Sequence, residues 1–330
     1  MIKEVMESLK EIAQFIINND NFIISSHINP DGDSTGSQLA MFLILKKLNK
    51  KVEILDADPI PNIYKFLPSS EIPKTVLNKE FDFNAAIILD CGDIKRAGEL
   101  PINFDKIKTI INIDHHISNK FYGQLNYVDS EASSTGELIF RLIKELKVSI
   151  DNDIGTCLYT AIMSDTGGYK FENTTHGAFS TVAELVSYGI RPDKLSKKIY
   201  ENYTLNTMHL LGLALQTLSL KAGGKISYMF VTLKMMENTS TKAEHTEGFV
   251  NHARSISGVE AGLFFRETEN GTIKVSMRSK EYIDTNKIAA LWNGGGHARA
   301  SGCEIKGDLN TVIEKVTKKV EEEIDKREEK

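Results

Sequence analysis

The sequence predicts an α/β protein: an N-terminal domain on a doubly wound parallel sheet, a smaller α/β C-terminal domain, and a helical linker joining them. Three observations carry that expectation. A chain of 330 residues is roughly twice the length of a typical domain. Up to Pro192, helical periodicity alternates with short runs that are apolar on both sides, as buried parallel strands are. After Gly223-Gly224 the texture changes to strands punctuated by an Asn270-Gly271 hairpin signal.

Taken in order, residues 3–18 place Val5, Met6, Leu9, Ile12, Ala13 and Ile16 at helical spacing. Phe22–Ile24 reads as a first strand, followed by a helix from about Thr35 to Leu48. Further strands are expected over 51–56, 85–90 and 108–114. Ser134 with Glu137 reads as a capping box that opens a helix reaching Lys147. Helices near 152–163 and 176–188 follow, the second stopped by Gly189. Residues 1–192 are the expected catalytic domain, 193–215 the helical linker and 216–330 the second domain. In that last stretch strands are expected near 226–233, 259–266 and 272–278, with helices near 245–256 and from Leu309.

Composition narrows the function. At 41% hydrophobic and 26% charged residues, the chain reads as a soluble globular protein. No apolar run reaches the roughly 18 residues that a membrane span needs. The first residues lack a secretory leader's apolar centre. Cys91, Cys157 and Cys303 lie far apart and form no disulfide or zinc pattern, which fits a reducing cytoplasm. A net charge of −5 disfavours a partner such as long nucleic acid, whose grip rests on phosphate neutralisation.

Four segments carry chemistry. SSHINPDGDSTG supplies His27, Asp31 and Asp33 just after the first strand. Asp90 ends a second strand, Asp114-His115-His116 ends a third, and Asp165 lies just past a helix. Strand C-terminal ends in an open parallel sheet face one crevice, so these groups are expected to converge. Each has a bland reading. Asp31 or Asp33 suits a helix cap, a strand-end Asp suits a turn, and Gly32 with Gly36 suits a tight turn. Together the carboxylates would repel one another unless a divalent cation, or a pair, lay among them. Oxygen ligands with some imidazole suit manganese or magnesium.

A second constellation lies near the end of the chain. Gly294-Gly295-Gly296-His297 reads as a loop whose backbone N–H groups approach a phosphate, with Arg278 and Ser279 upstream. Arg254, Arg299 and Ser301 are accessory candidates that suit a surface or structural role equally well. Tyr282 and Trp292 are the nearest aromatics for stacking on a base.

These motifs, in this order, resemble the DHH phosphoesterase superfamily, and VSMRSK (275–280) with GGGHARASG (294–302) resembles its DHH-associated domain. The likeness spans residues 20–305. SDTGGYKFENTT (164–175) is similar to the branch of nano-RNases, 3′-phosphoadenosine 5′-phosphate (pAp) phosphatases and cyclic di-AMP phosphodiesterases. The resemblance implies two Mn2+ ions per active site, with Mg2+ or Co2+ as alternatives. It implies one ion on His27, Asp31 and Asp90 and the other on Asp33, Asp90, His115 and Asp165. His116 would face the scissile phosphate and Asp114 would orient its histidine neighbours. The implied activity is in-line hydrolysis of short RNA, pAp or the dinucleotide pApA. The second domain would hold the substrate through Arg278, Ser279 and Gly294–His297, as a ruler across a cleft. A homodimer is compatible with the family, and no membrane partner is implied.

Rival readings are cleavage of cyclic di-AMP, of pyrophosphate or of long single-stranded DNA, and a nucleotide sensor without turnover. The sensor reading predicts lost ligands, and none is missing here. A dinucleotide-dependent oxidoreductase is disfavoured because the first strand is not followed by G-x-G-x-x-G.

Overall fold

A computed structural model describes residues 2–76, 83–100 and 107–328. The chain forms two compact units, Met1–Asn202 and Tyr203–Lys330, and the division falls within the segment expected as a linker.

The first unit runs α1 (Ile2–Asn18), β1 (Phe22–Ser25), α2 (Gly32–Lys47), β2 (Val52–Ile54), β3 (Ala85–Leu89), β4 (Thr109–Asp114) and β5 (Leu125–Val128). It continues with α3 (Thr135–Leu146), α4 (Asn152–Asp165), α5 (His176–Ser187) and α6 (Pro192–Tyr200). The sheet order is β2-β1-β3-β4-β5 and every neighbouring pair is parallel. The order reverses between β1 and β3, which is where open α/β sheets take their ligands.

Register explains how each face is buried. Phe22, Ile24, Ile87, Leu89, Ile111 and Ile113 share one face and pack with Ile12 of α1, Leu39 of α2, Leu138 of α3 and Leu158 of α4. Ile23, Ala86, Ile88 and Ile110 turn the other way. Among the described residues that face is covered by the short turn at Ile94–Ala97 with Phe83, Leu100 and Tyr122, so the two coverings are unequal.

Four local expectations are adjusted. α2 begins at Gly32, not near Thr35, because Asp31 caps it and accepts from the Asp33 and Ser34 N–H groups. Gly32 and Gly36 serve helix packing, not a turn. A Cβ on Gly36 would lie 2.5 Å from the Cys157 carbonyl oxygen of α4, and one on Gly32 would overlap Ser164. Asp165 is the last residue of α4 and not a residue beyond it. The Ser134 cap on α3 is present, but Glu137 turns its carboxylate to the N–H and hydroxyl of Ser133 instead of completing the box.

The second unit comprises α7 (Leu205–Gln216), β6 (Ser219–Lys221), β7 (Ile226–Val231), α8 (Leu233–Asn238), α9 (Phe249–Arg254), β8 (Ala261–Glu267) and β9 (Thr272–Ser279). It ends with α10 (Thr285–Ala290), β10 (Gly295–His297), β11 (Ala300–Lys306) and α11 (Leu309–Glu328). Its sheet has the order β10-β11-β9-β8-β7-β6, with only β7 and β8 parallel. Gly271, at φ 70°, turns the β8–β9 hairpin where Asn270-Gly271 predicted one. Leu263, Phe265, Val275 and Met277 pack on α10 and α11, while Phe264, Met229 and Val231 pack on α7, α8 and α9. No helix among the described residues is long and apolar enough to cross a membrane.

Candidate metal centre

The first unit gathers its acids and imidazoles at the C-terminal ends of β1, β3 and β4 and at the end of α4. His27, Asp31 and Asp90 bring ligand atoms within 4.8 Å of one another, as do Asp33, His115 and Asp165, and likewise Asp90, Asp114 and His116. Asp90 joins these groups. Its Oδ2 lies 3.5 Å from His27 Nε2, and its Oδ1 lies 3.6 Å from His115 Nε2 and 3.6 Å from His116 Nδ1. His115 Nε2 is also 3.7 Å from Asp33 Oδ2 and 3.6 Å from Asp165 Oδ2.

The backbone sets these positions. Asp90 directly follows β3 in a left-handed conformation, φ 54°, while its N–H still donates to the Ile113 carbonyl. A non-glycine residue held there costs about 1 kcal/mol or more, and such strain concentrates at functional sites. His27 Nδ1 donates to the Ile28 carbonyl at 2.8 Å, which turns Nε2 toward the carboxylates. His115 Nδ1 donates to the Ala132 carbonyl at 3.3 Å, with the same effect. His116 Nδ1 donates to Asp114 at 2.6 Å, and Asn119 Nδ2 donates to the other oxygen of Asp114.

The two aspartates of the first motif differ sharply. The Asp31 side chain is 52% exposed, whereas that of Asp33 is 1% exposed. Asp33 accepts from the Thr135 N–H at 2.7 Å, the Gly136 N–H at 2.9 Å and the Ser37 hydroxyl at 3.0 Å. The N-terminus of α3 therefore points two amides at this carboxylate.

Electrostatics fit a cation. Burial pushes Asp33 well above the usual carboxylate range, and the charges of Asp90, Asp165 and Asp31 add to it. Burial likewise raises Asp165 to about 6, helped by Asp31 and Asp90 and opposed by His115. For Asp90, burial is overcome by the His27 hydrogen bond and by the charges of His116, His27 and His115, which hold it far below the usual range. His27 is raised to about 9: burial opposes its charge, but the Asp90 hydrogen bond and the charges of Asp31 and Asp90 prevail. No Lys or Arg among the described residues forms an ion pair with Asp33, Asp90 or Asp165. Without a cation, the surroundings therefore favour a proton on His27, Asp33 and Asp165. Divalent cations would displace them, as metal binding at such groups does. The donor set fits: oxygen-rich, with two imidazoles whose outer nitrogens are already engaged.

Sequence reasoning missed several residues beside these groups. Thr135 Oγ1 donates to Asp90 at 3.2 Å, and Asn173 Nδ2 donates to Asp165 at 3.0 Å. Asp56, buried at the end of β2, accepts from the Ser26 N–H at 3.2 Å and steadies the segment leading to His27. Asp56 stands two residues beyond β2, a weaker form of the strand-end signal that Asp90 gives. Hydroxyl and amide side chains such as Thr135 and Asn173 carry no comparable pattern.

In the second unit the Gly294–His297 segment is not an open loop. Residues 295–297 form the edge strand β10, paired with β11. A Cβ on Gly294 would lie 2.5 Å from Cys303 Cβ, and one on Gly296 would lie 2.7 Å from Ser301 Cα. Close backbone packing thus accounts for those two glycines. Arg278 is half-buried on β9, opposite Gly262 of β8. A Cβ on Gly262 would lie 2.6 Å from Arg254 Cα, so this glycine lets the end of α9 cross close to Arg278. Burial, then the charge of Arg278, holds the Arg254 guanidinium below its usual range. Ser279 is buried and its hydroxyl donates to the Ile283 carbonyl at 2.6 Å, which braces the following turn. Arg299 also donates to Ile283. Glu260, another residue the sequence did not single out, accepts from the N–H groups of Glu281, Tyr282 and Ile283. Tyr282 and Trp292 pack against the core of this unit.

Comparison with known proteins agrees in both units. The DHH family, N-terminal domain, matches residues 21–162, and the DHHA1 domain matches residues 223–326. A bifunctional oligoribonuclease and PAP phosphatase of Thermus thermophilus is 33% identical over 302 residues, 91% of this chain and 89% of that protein. The Bacillus subtilis protein of the same name is 31% identical over 89% of this chain and 92% of its own length. The crystal structure of an exopolyphosphatase-related protein from Bacteroides fragilis superposes with a TM-score of 0.86 at 28% identity, covering 96% of each chain.

Proposed function

Because the chain belongs to the DHH family and carries a DHHA1 domain after its DHH domain, we propose that it is a cation-dependent phosphoesterase hydrolysing short oligoribonucleotides and pAp to mononucleotides. The observation that carries this reading is the convergence on Asp90. Its two carboxylate oxygens address His27 on one side and His115 and His116 on the other. One cation is assigned to His27, Asp31 and Asp90, the second to Asp33, Asp90, His115 and Asp165. Mn2+ is the expected ion, Mg2+ and Co2+ the alternatives, on the hardness of the oxygen donors. When bound, the pair supplies Lewis-acid activation of water and neutralises phosphoryl charge.

The chain's own residues do the rest. Asp90 keeps the two ligand groups at fixed separation. Asp114 holds His116 by Nδ1, which gives Nε2 the role of donating to a phosphoryl oxygen. Arg278 is the candidate phosphate fork in the second unit, with Arg254 beside it and the backbone of Gly294–His297 as further donors. Ser279 is left out of that set, because its hydroxyl is spent on Ile283. The names of the relatives support the substrate class. We place the protein in the cytoplasm, where three buried free cysteines remain reduced.

The test is reconstitution. Protein stripped with EDTA should release no AMP from pApA, and adding Mn2+ should restore release. Turnover that survives stripping, or fails to return with any divalent ion, would remove the cations from the reading.

A further inference from the structure

The loop and first turn at Ala132–Glu137 reach every member of one candidate cation group. Ala132 offers its carbonyl to His115 Nδ1 at 3.3 Å. The Thr135 and Gly136 amides donate to the two oxygens of Asp33 at 2.7 and 2.9 Å, and Thr135 Oγ1 donates to Asp90 at 3.2 Å. Ser133 offers its carbonyl to Asn173 Nδ2 at 2.9 Å, and that same amide donates to Asp165 Oδ2 at 3.0 Å. No hydrogen bond among the described residues runs from this segment to His27 or Asp31.

The segment is braced from behind. Glu137, 1% exposed, accepts from the Ser133 N–H at 2.9 Å and hydroxyl at 2.7 Å, and from Arg141 Nη2 at 2.6 Å. Arg141 Nη1 reaches Asp129 at 2.6 Å, and the Asp129 N–H donates to the Asp114 carbonyl. The brace therefore ends on the strand that presents His115 and His116. At Gly136 a Cβ would lie 2.5 Å from Ala161 Cβ, so α3 is pressed against α4, the helix that ends in Asp165.

We propose that Ala132–Glu137 is a positioning clamp that sets the geometry and affinity of the Asp33–His115–Asp165 cation site. Thr135, Glu137 and Asn173 are its positioning residues. The inference rests on the functional reading above and goes beyond it by assigning roles to residues that hold no cation themselves. Its one contact with the shared Asp90 is to Oδ1, the oxygen that faces His115 and not His27, so its loss bears first on the Asp33–His115–Asp165 site. Partners that orient metal ligands are worth roughly 10–100-fold in affinity.

The experiment is calorimetric titration of EDTA-stripped full-length protein with Mn2+, beside thermal melts of the metal-free protein. The expected result for Thr135→Val and Asn173→Ala is that one of two binding events weakens by about 10–100-fold. The other event and the metal-free melting midpoint should stay close to the parent's. Thr135→Ser, which keeps the hydroxyl, should restore the parent affinity. Glu137→Gln should act in the same direction; if it fails to fold, Thr135→Val and Asn173→Ala still decide the matter. Unchanged affinities in both of those variants, or equal weakening of both events, would overturn the clamp. A parent protein that binds no divalent ion would instead sink the functional reading itself.

Discussion

In the first unit a parallel sheet delivers acids and imidazoles from four distant segments to one cluster; in the second, a mixed sheet brings two arginines near each other across Gly262. Convergence in the first follows from topology, since β1, β3 and β4 all end on the same side. In the second it follows from register and close packing. Gly262 lets Arg254 pass near Arg278, and Gly294 and Gly296 let β10 lie against β11. The first arrangement concentrates negative charge and calls for cations. The second sets two guanidinium groups within each other's field, the pair proposed above to hold a phosphate. Substitutions in the two units should therefore fail in different ways.

The largest effect belongs to Asp90→Ala, which removes the carboxylate shared by both ligand groups. Steady-state assays should show turnover at background with all substrates, even in saturating Mn2+. Next comes Arg278→Ala. Loss of a charged hydrogen bond of about 1.5–3 kcal/mol predicts KM raised about 10–100-fold with kcat much less affected. A matching fall in kcat with unchanged KM would move Arg278 from substrate grip to catalysis and blur the contrast between the units.

A smaller effect separates stability from function. Asp33 and Asp165 have folded-state values above the ordinary carboxylate range, so the folded chain holds their protons more tightly than the unfolded chain. Their contribution to metal-free stability therefore becomes unfavourable as pH rises from about 4, and for Asp165 it is complete once pH passes about 6. Asp33→Asn should raise the melting temperature of the EDTA-treated protein at pH 7 while abolishing one Mn2+ binding event. A lower melting temperature would show that the amides of Thr135 and Gly136 need the charged partner more than the site suffers from it. The smallest effect is at Asp56, which burial raises to about 7. By the same sign, the parent loses stability between about pH 4 and 7 relative to Asp56→Asn. Melts across that range, with Mn2+ present, should converge at the acid end and separate at the neutral end.

Legibility in the sequence followed the same contrast. The gathering of His27, Asp31, Asp33, Asp90 and His115 was visible because acids and imidazoles soon after apolar strands have few structural reasons to recur; Asp165, which closes a helix, stood out only beside them. The parallel sheet was visible because Ala85–Leu89 is apolar on both faces and Thr109–Ile113 carries three isoleucines spread over both. The loop covering of one face was not, since residues such as Tyr122 and Leu100 have no periodic signature. Ser279 looked like a phosphate contact from its neighbour Arg278, but alternation along β9 turns it inward. Gly294 and Gly296 looked like a cradle, and their close approach to β11 is a tertiary fact that spacing cannot carry. The partner at Thr135 stayed hidden because its bonds to Asp33 and Asp90 cross the fold and leave no local pattern, while Glu137 was visible only as a capping residue.

The most direct test is a Mn2+-dependent turnover panel of parent and Asp90→Ala protein on pAp, pApA, a five-nucleotide RNA, a long RNA and cyclic di-AMP. Cleavage of pAp, pApA and the five-mer by the parent, little action on the long strand, and none by Asp90→Ala is the predicted result. Long RNA degraded as fast as the dimer would contradict the substrate class, and no hydrolysis with any divalent ion would contradict the phosphoesterase reading itself.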